Sequence, residues 1–527
     1  MSQQLYKLLN LIFVPSVFLL IGFFSFNYLS SFLVILNFFV SFILENILII
    51  LILLPLLGAI TLSFIPKTKF FLIRYISIFV SMLVFGASLF LLVFFDKSLS
   101  SFQFIFNFKY SFNNIFFGVD GISILLIVLT TFLIPLCLLS NWNNPIYIKE
   151  FSIYFLMIEF FLIVIFSVLD VLMFYVFFES ILIPMFLIIG LWGSGRRKVR
   201  SGFFFFFYTL VGSVLMLLSI MFLYKHVGSL NYLILINVNY TLDIQLILWV
   251  GFMLAFMSKV PMIPFHLWLP EAHVEAPTSG SVLLAGVLLK LGTYGILRFL
   301  LPIFPLATIY YTPIVFSIGG FSIIYASATA LRQTDLKRII AYTSIAHMNL
   351  VVIALFVINH LSLTGAVFQM IAHGLVSSAL FFCIGFYYDR FHTRIVENYG
   401  GTMQTMPILS VFFLIFNLAN LGMPTTCNFV GEFLMLTGTC LKNNFICFIS
   451  ALGMVFSGAY SLWVCNRVCY GNTKLVFIQD VNKIEFFILA SLLIFTFFFG
   501  IFSTTLTDFS DVSFYYLINL IKSKSIF

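Results

Sequence analysis

Residues 256–266 read Phe256-Met257-Ser258-Lys259-Val260-Pro261-Met262-Ile263-Pro264-Phe265-His266. A lysine and two prolines interrupt an otherwise apolar run. A second interruption, Gly422-Met423-Pro424-Thr425-Thr426-Cys427-Asn428-Phe429, runs into Glu432. Proline lacks a backbone donor and its ring clashes with the preceding turn, so a helix breaks at both places. A simple hinge is the plainest account, yet each break lies near an ionisable side chain. Irregular backbone at membrane depth is tolerated only where it is buried in protein or lines a water-filled cavity. The breaks therefore predict internal water and the architecture of a transporter.

The composition fixes the membrane setting. The chain has 527 residues, 62% hydrophobic and 8% charged, against about 25% charged in ordinary globular domains. That excludes a soluble enzyme, a disordered chain and a nucleic-acid partner. At about 20 apolar residues per span plus loops, the length holds about 14 to 16 helices. The runs are apolar on every face, which excludes the period-two alternation of a barrel. The 72 phenylalanines fit an A+T-rich genome, and so an organelle, as readily as they fit physics. The seven cysteines lie in or beside apolar runs; the closest pair, Cys465 and Cys469, has no matching pair, which argues against a disulfide framework, a metal site or an iron-sulfur cluster.

Spans are expected near 45–65, 70–95, 116–140, 151–169, 170–191, 203–224, 245–266, 280–301, 312–330, 338–357, 363–387, 406–439, 445–468 and 485–503. Residues 1–43 read as a variable extension with one or two further helices, or a cleaved signal. Residues 44–150 hold helices 1 to 3. The tail from Asp508 to Lys524 carries an apolar stripe of Val512, Tyr515, Leu517 and Ile518 and reads as a surface amphipathic helix. Loops after odd-numbered helices carry Lys67, Lys69, Lys149, Arg196, Arg197, Lys198, Arg200, Arg332, Lys337, Arg390, Arg394, Lys474 and Lys483; those after even-numbered helices carry Lys97, Lys109, Lys225 and Lys442. By the positive-inside rule the odd loops face the matrix or cytoplasm. The broken helices, 7 and 12, are an odd number of spans apart and run in opposite directions. That is the signature of an inverted-topology repeat, helices 4 to 8 (151–301) and 9 to 13 (302–470), with 471–527 as a last helix and tail. The fold class is an all-α polytopic membrane protein with two inverted five-helix repeats.

A charge at a helix centre costs about 2.5–3.5 kcal/mol on insertion scales. Glu179, Lys259, Lys290 and Glu432 all interrupt apolar runs; unpaired, they would together cost roughly 10 kcal/mol, comparable with the stability of a domain. A structural ion pair between Glu179 and Lys259 is the bland reading. The choice of lysine favours proton exchange, because a buried lysine gives up its proton while arginine does not. Glu159 is a further intramembrane acid open to both readings. His347 and His373 lie in spans between Lys290 and Glu432 and extend the series of protonatable groups. His266, Glu271, His273 and Glu275 cluster after helix 7, where proton or water handling is favoured over a metal.

Phe178-Glu179-Ser180 leading to Ile183-Pro184-Met185-Phe186-Leu187-Ile188 is distinctive. So are Lys259-Val260-Pro261 and the run from His266-Leu267-Trp268-Leu269-Pro270-Glu271 to Ala276-Pro277-Thr278. With Val119-Asp120-Gly121-Ile122-Ser123, Leu289-Lys290-Leu291-Gly292, Gln333-Thr334-Asp335-Leu336-Lys337-Arg338, Ser344-Ile345-Ala346-His347 and Gly431-Glu432-Phe433, the sequence closely resembles the chain 4 family of respiratory NADH:ubiquinone oxidoreductase, complex I. The matches run in order from about Phe116 to Phe433; residues before Val40 and from Lys474 onward depart from the pattern.

The resemblance implies an antiporter-like, proton-translocating membrane-arm subunit in the mitochondrial inner membrane. Glu179 and Lys259 match the family's interfacial pair, Lys290 and His347 its central axis, Glu432 its terminal acid, and His373 another axial histidine. No dinucleotide fingerprint, haem or cluster motif is present, so this chain holds no cofactor; NADH, FMN, iron-sulfur clusters and ubiquinone are expected in other subunits. The implied partners are other membrane-arm subunits, including neighbouring antiporter-like ones, and membrane lipids, with no nucleic acid. A sodium/proton antiporter subunit and an inert membrane scaffold are the alternatives. An inert scaffold would be expected to have lost axial charges, and none is missing.

Overall fold

The computed structural model describes residues 46–110, 113–142, 146–473 and 479–525. The expected extension over residues 1–43 lies outside them. The helices are α1 (Asn46–Phe64), α2 (Phe70–Phe94), α3 (Gly121–Ser140), α4 (Ile148–Ser167), α5 (Val171–Trp192), α6 (Lys198–Val227), α7 in two pieces (Leu242–Lys259 and Trp268–Glu275) and α8 (Thr278–Ile303). They continue with α9 (Pro305–Arg332), α10 (Leu336–Val357), α11 (His360–Phe391), α12 in two pieces (Pro407–Leu421 and Cys427–Lys442), α13 (Asn444–Cys469), α14 (Lys483–Ile501) and α15 (Thr504–Ser525). Among the described residues, 13 helices are long and apolar enough to cross a membrane. Neither half of α12 reaches that length alone. The chain is a multi-pass membrane protein.

Helix ends follow local chemistry. Asp335 accepts hydrogen bonds from the Lys337 and Arg338 amides to start α10, Asn359 and Ser362 form a capping box on α11, and Gly228 ends α6 in left-handed backbone at φ 77°. The most apolar stretches of α8 and α11 are 100% buried, whereas those of α14 and α2 are 22% and 28% buried. Such all-round apolar helices are core in the first case and lipid-facing in the second. Any transverse polar path must therefore run beside α8 and α11.

Several expectations are corrected. Helix 3 does not begin at Phe116: Gln103–Tyr110 (β1) and Asn113–Val119 (β2) form an antiparallel hairpin, and α3 starts only after the Asp120 cap. Phenylalanine in that stretch suits a strand, but apolar content alone looked like span. α5 is interrupted after Ser180, because Pro184 offers no amide to the Ser180 carbonyl four residues back. Residues 268–275, read as loop, are helical. One disulfide joins Cys440 to Cys447 across the turn between α12 and α13. The tail is helical as expected, but its buried stripe is Phe509, Phe514, Leu517, Ile518 and Ile521, and Tyr515 and Tyr516 are exposed. α15 thus packs on the bundle instead of only resting on a membrane surface.

Candidate functional site

Three local irregularities place the ionisable groups. Glu179 lies in the last turn before the interruption of α5, Lys259 is the last residue of the first piece of α7, and Glu432 lies in the second piece of α12. Lys290 lies in α8 between two π-helical stretches, Leu284–Leu288 and Ile296–Leu300. A wider turn at both sides is a common mark of a functional segment, and no proline or glycine pattern in the sequence announced it.

Lys290 has no exposed surface. Its Nζ donates to the Ala285 carbonyl and lies 2.9 Å from His373 Nδ1. The His373 ring centroid is 5.8 Å from that of His347, and His347 Nδ1 is 3.1 Å from Glu432 Oε1. Lys290, His373, His347 and Glu432 therefore form one chain of titratable groups across α8, α11, α10 and α12, with both ends in direct contact and no hydrogen bond at the Nε2 atom of either imidazole. Beside it, the buried side-chain amides of Gln369 and Asn428 have no protein partner. Buried polar atoms of this kind are ordinarily satisfied by internal water.

The other half of the axis is not closed. Lys259 Nζ is 3.4 Å from the Phe178 carbonyl and 4.4 Å from the Phe178 ring centroid, while Glu179 Oε1 has no hydrogen-bond partner. Among the described residues Glu179 and Lys259 do not form the expected ion pair. The lysine is held by a carbonyl dipole and an aromatic face, a weaker arrangement that leaves it free to switch partners. Glu159 is fully buried with neither carboxyl oxygen bonded, so the structure does not join it to this chain.

Glycines allow the close approaches. A Cβ on Gly292 would fall 2.4 Å from Val260 Cγ2 and 3.3 Å from Lys259 Cβ, so only glycine lets α8 meet the broken end of α7. Gly422 takes φ 83°, and its missing Cβ leaves room for Glu432 Oε2, which would lie 2.5 Å away.

The cluster at the second piece of α7 separates. Glu271 pairs with Arg338 at 2.9 Å, and His273 stacks on Phe381 at 4.6 Å. Lys337 Nζ donates to the Ala276 carbonyl at 2.7 Å. Among the described residues no group of three or more His, Cys, Asp and Glu side chains is arranged to hold a metal. Among the ion pairs the sequence reading did not foresee, the most buried joins a cation to Asp120: Arg298, near the end of α8, donates to Asp120 at 2.6 Å and to Tyr294 Oη at 3.2 Å. Burial disfavours the Asp120 carboxylate, but the Arg298 guanidinium and the Ser123 cap outweigh it and hold its pKa below the ordinary value. Arg298 sits eight residues beyond Lys290, and that helical spacing was the available signal.

The family described as NADH:quinone oxidoreductase/Mrp antiporter, TM, matches residues 168–458. NADH-ubiquinone oxidoreductase chain 4 of Prototheca wickerhamii is 48% identical over 486 residues, covering 88% of this chain and 93% of that one. This chain belongs to that family. The chain 4 protein of Arabidopsis thaliana is also 48% identical, covering 87% of this chain and 94% of the relative. Among solved structures, a chain of respiratory complex I from Thermus thermophilus with bound NADH superposes with a TM-score of 0.82 at 25% identity, covering 90% of this chain and 99% of that one. A chain of the Mrp complex from Dietzia reaches 0.80 at 15% identity, covering 91% and 99%, which shows a shared fold.

Proposed function

We propose that this chain 4 family member is a proton-translocating membrane-arm subunit of complex I, in which redox energy released by other subunits drives protons along the Glu179–Lys259–Lys290–His373–His347–Glu432 series. The observation that carries the reading is the direct Lys290–His373 contact at 2.9 Å beside the His347–Glu432 contact at 3.1 Å. Lysine, imidazole and carboxylate each accept and release a proton, and a low-dielectric setting makes the state of one depend on its neighbour.

The open Glu179–Lys259 pair is the switch. When Glu179 approaches as a carboxylate it supports the protonated lysine; as it withdraws or is neutralised, Lys259 passes its proton toward Lys290. Gly292 brings α7 and α8 together for that transfer. The repeats, helices 4 to 8 over 151–301 and helices 9 to 13 over 302–470, each carry one of the two broken helices. NADH, FMN, iron-sulfur clusters and ubiquinone belong to other subunits, the neighbours are further antiporter-like subunits, and the location is the mitochondrial inner membrane, as the names of the chain 4 relatives imply. The family membership and the intact axial series favour this over a sodium/proton antiporter subunit or an inert scaffold.

The test is Lys259→Ala and Glu179→Gln in the assembled complex, reconstituted in liposomes. Fewer protons moved per NADH oxidised, or slowed NADH oxidation with assembly intact, is expected. Unchanged stoichiometry and rate in both variants would reject the proposal.

A further inference from the structure

Two buried polar groups near the break in α12 have capacity to spare. Glu432 is 1% exposed; its Oε1 lies 3.1 Å from His347 Nδ1, and its Oε2 has no hydrogen-bond partner. Oε2 faces Gly422, just past the end of the first piece of α12. Tyr460 on α13 is also 1% exposed, and its hydroxyl has no hydrogen-bond partner. The Ser457 hydroxyl, one turn back, is engaged with the Met454 carbonyl at 2.6 Å. A Cβ on Gly458 would meet Leu421 Cδ1 at 3.1 Å, so α13 passes the end of the first α12 piece two residues before Tyr460. The charge of Glu432 is felt at this tyrosine. A buried carboxylate oxygen that only accepts and a buried hydroxyl that can donate thus stand on neighbouring helices, both unsatisfied.

A small polar cavity adjoins them. It lies between α10, the first piece of α12 and α13, with room of about 10 Å³ for a water-sized sphere. About 10–15 Å³ on that measure holds one water, provided two to four polar groups bind it. Thr343 and Ser461 line it but donate to carbonyls of their own helices. Asn417 Nδ2 likewise donates to the Phe413 carbonyl at 2.8 Å. Asn417 Oδ1, the Asn420 carboxamide and the Tyr460 hydroxyl are the groups that can bind the water. Toward the basic loops the lining is apolar, with Leu336, Ile339 and Ile340 from the first turns of α10. The cavity is therefore placed to serve Glu432 and not to take up protons from the compartment those loops face. We infer that one water sits here on Tyr460, Asn417 and Asn420, and that Tyr460 with this water is a positioning group for the free oxygen of Glu432. When His347 turns away from Glu432, this second partner holds the carboxylate in place. That role rests on the proton series proposed above; the bound water does not.

The experiment uses the assembled complex. Cryo-electron microscopy at a resolution that shows ordered water should reveal a peak about 2.5–3.0 Å from Tyr460 Oη. Tyr460→Phe keeps the ring and removes only the hydroxyl, while Asn420→Leu keeps the volume and removes the carboxamide. In infrared difference spectra of NADH-reduced against oxidised complex, the carboxylic-acid band lost in Glu432→Gln identifies Glu432. That band should move to higher frequency in both other variants, because a carboxyl group that loses a hydrogen bond absorbs higher. NADH-driven proton transfer in liposomes should slow about fivefold, which is what one hydrogen bond of ordinary strength supplies. No water at Tyr460, or a Glu432 band unmoved in both variants, would overturn the assignment. A water and a shifted band with unslowed transfer would uphold the site and instead reject Glu432 as a link in the proton series.

Discussion

Replacing Lys290 by methionine removes the ammonium while keeping an unbranched side chain that fills most of the same space, so a cavity is not the main effect. In the native protein this Nζ donates to the Ala285 carbonyl and lies 2.9 Å from His373 Nδ1, with no solvent exposure. A hydrogen bond from a charged group contributes about 1.5–3 kcal/mol, so the Ala285 carbonyl supports a proton on Lys290 by roughly that much. Losing even the lower value, at about 1.4 kcal/mol per tenfold, reduces the population of a proton at this depth by about tenfold. Lys290→Arg supplies the contrast: it keeps the charge and does not release its proton. Both variants should assemble and both should fail to pass protons, read as protons moved per NADH oxidised in liposomes alongside the turnover rate. A double-mutant cycle with His373→Gln should show a coupling of about 0.5–3 kcal/mol in the transfer step, because the two side chains touch. Native stoichiometry and rate in both single variants, or strict additivity in the cycle, would refute the reasoning.

Asp120→Asn leaves the Arg298 guanidinium buried without a counter-charge, which should destabilise the contact between the hairpin, α3 and α8 by about 3–5 kcal/mol and lower the thermal midpoint of the complex. Because the folded Asp120 pKa is depressed, the wild-type contribution is fully present above the unfolded aspartate pKa and is lost as pH falls through the folded value; a wild-type and Asp120→Asn difference that did not narrow on acidification would contradict it. Gly292→Val puts a branched side chain where even a Cβ lies 2.4 Å from Val260 Cγ2, and overpacking of this kind costs about 1–3 kcal/mol; reduced assembly on a native gel is expected, and unchanged assembly would deny the close approach. Pro184→Ala restores the amide that α5 lacks, so the helix should continue through Ser180 and shift Glu179; proton transfer should fall with assembly intact, whereas unaltered pumping would mean that the interruption has no part in it.

The membrane-spanning plan was legible because apolar length and loop charge are written residue by residue, and broken helices announce themselves through Pro261, Pro264 and Pro424. The intramembrane ionisable side chains were legible for the same reason: Glu179, Lys259, Lys290 and Glu432 contrast with everything around them. Pairing was not legible. Nothing in the order of residues says that His373 meets Lys290 while Lys259 turns to the Phe178 carbonyl, since these contacts join helices distant in the chain. The hairpin over residues 103–119 was hidden because a short phenylalanine-rich strand and the edge of a span have the same apolar content. Arg298 was overlooked because it lies near a helix end, where a cation looks like an ordinary interfacial residue until Asp120 is placed beside it.

The step between His347 and His373, 5.8 Å between ring centroids, bears on energy conservation. A subunit that carries protons must not also let them fall back, and each 100 mV of membrane potential pushes a returning charge with about 2.3 kcal/mol. A series touching at every link would short-circuit that potential. On the proposed route, with contact at 2.9 Å and 3.1 Å on either side and no hydrogen bond at either imidazole Nε2, conduction needs a ring or a water to move first. Along that route the same break that slows the forward passage would insulate the membrane between turnovers.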